Sequence, residues 1–240
     1  MWSSWFTTRL SPEIVMKRPR LLGEASIPGS DKKLRLLQGK DDCTITVTRG
    51  GELMSTRKHA SEDALAALPC SMLADSQSAS VLIGGLGMGF TLAAALQATG
   101  TEAKITVAEL VPEVIEWNRG PLGAYAGYPL DDPRCSVYAG DVIDLLRNPN
   151  QRFDVIALDV DNGPEGFSSS ANNWIYSNIG IDATRHSLNR GGLAAYWSAS
   201  ADKQFPDRLQ RNDMVVHEHL VHAHGKKGPL HTIWIATAAD

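Results

Sequence analysis

The chain has 240 residues, of which 43% are hydrophobic, 21% charged and 7% aromatic, a composition that excludes a collagen, a coiled coil and a disordered tail. A net charge of −4 and an isoelectric point near 6.0 give no overall pull toward nucleic acid or an anionic membrane surface. Cys43, Cys70 and Cys135 form no C-x-x-C pair, which argues against a disulfide scaffold or a zinc ribbon and for a reducing, cytoplasmic setting.

The chain opens Met1-Trp2-Ser3-Ser4-Trp5-Phe6, without the apolar stretch behind a basic start that a signal peptide needs. Residues 1–75 read as a small β-rich domain. Cys43–Thr48 alternates apolar and polar side chains and is rich in β-branched residues; Arg49-Gly50-Gly51-Glu52 is a turn signal, and Leu53-Met54 starts a second short strand. A short helix is expected over Asp63–Leu68, with Ser61 as its cap and Pro69 as its stop.

Residues 76–240 change rhythm to strand–helix alternation. Strands are expected at Val81–Ile83, Lys104–Ala108, Cys135–Tyr138, Phe153–Leu158, Leu193–Trp197, Met214–Val221 and Thr232–Ala236. Helices are expected at Phe90–Ala98, Pro112–Asn118, Val142–Arg147, Trp174–Leu188 and Lys203–Arg211, with Asn189-Arg190-Gly191-Gly192 as a glycine stop. This pattern predicts an α/β, Rossmann-like, seven-stranded, mostly parallel sheet with helices on both faces. No residue between Asp75 and Glu102 is charged, yet Gly84, Gly85, Gly87 and Gly89 interrupt that stretch. It reads as strand, glycine turn and buried helix, not as a membrane span.

Ligands of such sheets bind at the carboxyl ends of the strands, where strand order reverses. Gly85, Gly87 and Gly89 lie there in a G-x-G-x-G spacing, whereas the dinucleotide fingerprint would need a third glycine at Phe90. The spacing points to an S-adenosylmethionine (SAM) turn. Glu109 ends the next strand about twenty residues on, where an acid accepts hydrogen bonds from ribose hydroxyls. Asp141, beside Val142, either caps the following helix or faces the adenine amine, and the two roles are compatible. Asp159, Asp161 and Asn162 crowd the end of the fourth strand, a setting that suits a general base or an ammonium binder. Tyr176 follows as a pocket or core aromatic. His217, His219, His222, His224 and His231 cluster near the C-terminus, but strand periodicity does not aim them at one ion, and no metal is expected.

From Val81 onward these residues resemble the spermidine synthase family of aminopropyltransferases, which share the class I SAM-methyltransferase fold. Val81–Phe90 resembles the family's glycine turn, Glu109 its ribose acid and Gly140-Asp141 its adenine-side aspartate. Phe153–Asp159 resembles the strand before its catalytic Asp-x-x-Asp-Pro, and Gly163-Pro164-Glu165 with Tyr176 its gate loop and following aromatic. The resemblance implies SAM or decarboxylated SAM as cofactor, a small-molecule acceptor and a homodimer. Departures are equally specific. Met88 stands where the family turn has an acid, Asn162 where the second Asp of the motif falls, and the Tyr-x-Glu-Met segment is missing: no tyrosine precedes Tyr125. Arg57 and His59 lie in the corresponding stretch as candidate substrate-binding residues, and Arg57 with Lys58 would favour an anionic or neutral acceptor if they faced the pocket. These departures tip the expectation toward methyl transfer to a non-polyamine small molecule, with aminopropyl transfer and a non-catalytic nucleoside-binding module as alternatives.

Overall fold

The computed structural model describes residues 18–148, 151–159, 172–200 and 202–239. Four strands come first, β1 (Arg20–Ser26), β2 (Lys33–Gln38), β3 (Cys43–Val47) and β4 (Gly51–Ser55), paired antiparallel in chain order. Helix α1 (Ala60–Met72) leads into the alternating part: β5 (Ser80–Gly84), α2 (Phe90–Ala98), β6 (Lys104–Glu109), α3 (Pro112–Arg119), α4 (Gly123–Ala126), β7 (Cys135–Ala139), α5 (Val142–Leu146) and β8 (Phe153–Leu158). After these come α6 (Asn172–Ile175), α7 (Asn178–His186), β9 (Leu188–Ser198), α8 (Phe205–Arg211), β10 (Met214–His224) and β11 (Lys227–Ala238).

The second sheet has seven strands in the order β10-β11-β9-β8-β5-β6-β7, the predicted α/β architecture. Strands β5 to β9 pair in parallel, and β11 runs antiparallel to both β9 and β10. Strand order reverses between β5 and β8, so the carboxyl ends of these two strands flank the crevice where such sheets bind ligands. Two apolar layers cover the faces. Leu65 of α1 and Leu92 of α2 pack with Ile83, Ile105, Val155, Trp197 and Ile233. Ile143 of α5, Ile181 of α7 and Leu209 of α8 pack with Leu82, Ile156, Tyr196 and Trp234 on the other side. The uncharged stretch after Asp75 is explained by α2, which buries Phe90, Thr91, Leu92, Ala94, Ala95 and Leu96. Fully burying each large apolar side chain contributes about 1.5–3 kcal/mol.

A third apolar layer joins the two sheets: Ala25, Leu34, Leu36, Cys43 and Ile45 of the small sheet pack on Met88, Phe90, Val114 and Trp117. Gly23 of β1 fits because a Cβ there would strike the Trp117 indole.

Three local expectations need correction. Helix α1 runs from Ala60 to Met72, past both expected boundaries, with His59 at the N-cap and Pro69 inside. Ser61 does not cap it, because its hydroxyl is turned to Glu62 and His231. Burial of Leu65, Ala66, Pro69 and Cys70 offsets the cost of an interior proline, about 3 kcal/mol. The expected helix Trp174–Leu188 is two helices, because Ser177 leaves the helical path and caps α7, accepting from the Gly180 N–H at 3.2 Å. Asn189–Gly192 is a bulge within β9 rather than a helix stop: register slips between Phe153–Leu188 and Val155–Leu193, and Gly191 supplies a φ of 77°.

Candidate active site

The glycine turn joins β5 to α2 at the switch point. Gly85, Gly87 and Gly89 have φ of 91°, 53° and 85°, the left-handed region where a Cβ is disfavoured. At Gly85 a Cβ would collide with the Asp159 carbonyl oxygen, so the turn closes directly on the end of β8. Main-chain bonds lock this approach: the Gly85 N–H donates to Ala108 O at 2.9 Å, and the Asp159 N–H to Gly84 O at 2.8 Å. Val142 is buried beside Gly84, where an added Cβ would lie 3.1 Å from its side chain.

Glu109 ends β6 and is 8% exposed. Its Oε2 accepts from the Leu86 N–H at 3.0 Å and its Oε1 from the Val111 N–H at 2.9 Å. The side chain thus ties the glycine turn to the β6–α3 turn, with the Gly87 and Leu110 N–H groups also bearing on the carboxylate. Burial raises its carboxyl above the usual range; the main-chain N–H bonds oppose that shift. Asp141 caps α5, accepting from the Ile143 N–H at 2.9 Å. Asp159 follows β8 and is partly exposed. Glu109, Asp141, Asp159, Val142 and the three glycines therefore meet at one rim.

Asp161 and Asn162 lie outside the described residues, as do Gly163, Pro164 and Glu165. Tyr176 is 2% exposed and lies in the core beyond the sheet, with its ring edge-on to Phe205 at 5.3 Å. Arg57 pairs with Asp42 at 3.1 Å and Lys58 with Glu52 at 2.8 Å. His59 stacks on Phe90, ring centroids 3.9 Å apart, and pairs with Asp63 at 2.8 Å, which docks the start of α1 beside the glycine turn.

One feature escapes sequence reasoning. Asn118 is fully buried in α3, and its Nδ2 donates to Gly87 O at 2.8 Å and to Val114 O at 2.9 Å. It holds the turn from below, and its only sequence signal is an amide on an otherwise apolar helix face. Met88 is 4% exposed and joins the layer between the sheets.

Among the described residues, no three His, Cys, Asp or Glu side chains gather around a possible ion. His222 Nδ1 lies 3.1 Å from Gly228 O, and His224 contacts Arg57 O. No described helix is long and apolar enough to cross a membrane.

The spermine/spermidine synthase domain matches residues 58–203, well over half of the chain. The chain belongs to this family. Polyamine aminopropyltransferases of Yersinia pestis (strain Pestoides F) and Yersinia pseudotuberculosis (serotype O:1b, strain IP 31758) are 30% identical to it over 122 residues. That stretch is 51% of this chain and only 39% of each relative. Spermidine synthase in complex with the transition state analogue AdoDATO superposes with a TM-score of 0.70 at 18% identity, covering 92% of this chain and 73% of that one. Spermidine synthase from Thermotoga maritima gives 0.71 at 18% identity, covering 92% and 74%. These likenesses establish the spermidine synthase-like fold.

Proposed function

We propose that the chain is a transferase that takes a SAM-type sulfonium donor and passes an aminopropyl group from decarboxylated SAM to a small amine. The observation that carries this reading is the closure of the Gly85–Gly89 turn on Asp159, with Glu109 and Asp141 on adjoining strand ends. Membership of the spermine/spermidine synthase family supports aminopropyl transfer over the methyl transfer that the sequence departures favoured. The residues divide the work. Glu109 offers lone pairs to ribose hydroxyls, Asp141 faces the adenine side while capping α5, and the glycines let the backbone approach the nucleoside. Asp159, with Asp161 or Asn162, orients the acceptor or takes its proton. Holding nucleophile and sulfonium carbon in line supplies most of the acceleration.

Met88 favours the second reading, methyl transfer from SAM to a non-polyamine acceptor. The family's acid at this place is replaced by a thioether, 4% exposed and packed in the layer between the sheets, which gives a donor amine no carboxylate to pair with. Calorimetric titration with SAM and with decarboxylated SAM separates the two, because the donors differ by one carboxylate that a pocket must pair or exclude. Tighter binding of decarboxylated SAM supports aminopropyl transfer, tighter binding of SAM supports methyl transfer, and binding of neither overturns the donor assignment. We extend the reading to a homodimer in a reducing, cytoplasmic compartment, in line with the resemblance and three free cysteines. Sedimentation equilibrium tests the dimer.

A further inference from the structure

The rim that holds Glu109 and Asp159 continues along the sheet to a second cluster. Leu158 pairs with Tyr196, so Trp197 stands one step further along β9, level with Asp159. Trp197 pairs with Ile233 and Thr232 with Ser198, which sets His231 at the same end of β11. Side chains alternate faces along a strand, and Val155, Ala157, Trp197 and Ile233 share the layer under α1 and α2. His231 belongs to that face: its ring meets the Trp197 indole edge-on at 4.8 Å.

The start of α1 covers this corner. Ser61, fully buried, donates its hydroxyl to Glu62 Oε2 at 2.6 Å and lies 2.8 Å from His231 Nδ1. A hydroxyl has one hydrogen. With that hydrogen on Glu62, His231 must carry its own on Nδ1 and donate it to Ser61, which leaves the lone pair on Nε2. While Glu62 is ionised, this chain of bonds favours the tautomer with its hydrogen on Nδ1. Burial lowers the pKa of His231, keeping it neutral, and raises that of Glu62. The nearby cations are committed elsewhere, Arg57 to Asp42 and Lys58 to Glu52, while His59 is paired with Asp63. With Glu62 ionised, the corner is net negative. Trp197, 8% exposed, has a buried indole N–H without a partner among the described residues, an unsatisfied donor at the wall of the same corner.

We propose that Glu62, Ser61 and His231, walled by Trp197, form the acceptor subsite, binding a protonated primary amine and taking its proton at His231 Nε2. This rests on the transferase reading above. A desolvated ammonium without a carboxylate costs several kcal/mol, and Glu62 supplies one in a chain that lacks the family's tyrosine segment. The step balances. The ammonium gives its proton to Nε2, and the freed nitrogen lone pair forms a bond to the sulfonium-bound carbon. The carbon–sulfur bond breaks with both electrons passing to sulfur, leaving a neutral thioether and a secondary ammonium.

The test uses the full chain, decarboxylated SAM as donor, 1,4-diaminobutane as acceptor probe and 5′-methylthioadenosine as a binding probe for the donor site. Glu62→Gln is expected to raise KM for the diamine about tenfold or more, and His231→Gln to lower kcat about 100-fold. Both should leave thioether affinity within about twofold, since the glycine turn, Glu109 and Asp141 are unchanged in these variants. Ser61→Ala, which breaks the chain without changing charge, should reproduce part of the kcat loss if Glu62→Gln does not fold. Wild-type kcat and KM in these variants would overturn the subsite and leave the transferase reading standing. A wild-type chain that binds the thioether but consumes no donor with the diamine overturns the amine acceptor. One that binds no thioether overturns the donor reading, and the subsite falls with it.

Discussion

At Gly85 the backbone is left-handed and the missing Cβ leaves room for the Asp159 carbonyl. Gly85→Ala incurs about 1–2 kcal/mol of backbone strain before any clash is counted. We expect a lower melting temperature and at least tenfold weaker 5′-methylthioadenosine binding, about 1.4 kcal/mol, by calorimetry; unchanged affinity would mean that the turn does not touch the nucleoside. The thiols make a second residue-scale prediction. Burial pushes Cys70 up to about 12 and Cys135 up to about 11, and also raises Cys43. At pH 8 the thiolate fraction drops from about 10% for an ordinary thiol of pKa 9 to about 0.1% or less for Cys135 and Cys70. Mass spectrometry should find all three resistant to iodoacetamide in the folded protein and labelled readily in urea. Fast labelling of Cys43 or Cys70 in the folded chain would contradict their burial.

Helix α5 is short, and Asp141 satisfies one of its exposed N–H groups. Asp141→Ala should cost about 0.5–2 kcal/mol in urea unfolding. Asp141→Asn keeps the capping oxygen, so stability should hold while nucleoside affinity falls. Equal affinity in the Asn variant would leave Asp141 a cap alone. Helix boundaries were the least legible feature of the sequence. Ser61 looks like a cap, yet its hydroxyl finds partners in Glu62 and, 170 positions along the chain, His231. Pro69 looks like a stop, yet burial against the large sheet carries α1 through it. Ser177 splits a continuous amphipathic stretch because its side chain can bond an N–H three residues on.

The two sheets share an apolar layer, and Met88 sits in it between the ligand turn and the small sheet. Restoring an acid there with Met88→Asp would bury a carboxylate without a partner. We expect about 3–5 kcal/mol of destabilisation in chemical unfolding. A stable Met88→Asp protein with tighter binding of decarboxylated SAM would show instead that this position faces the donor. The small sheet also roofs the turn: a Cβ at Gly87 would lie 3.4 Å from Met54 Sδ. Changes in the small sheet should therefore reach donor affinity through packing, a coupling absent from either segment read alone.

All seven strands of the large sheet, the glycine turn, Glu109 and Asp141 were legible in the sequence, because each depends on local pattern: strand periodicity, glycine spacing, and an acid at a fixed distance. Tertiary structure alone decided which long-range partners meet. It committed Arg57 and Lys58 to Asp42 and Glu52, took Tyr176 into the core, set Asn118 under Gly87 and joined Ser61 to His231. Those outcomes depend on side chains distant in sequence competing for the same polar atoms and the same buried space. Local propensity and spacing carry no record of that competition, and the folded packing resolves it.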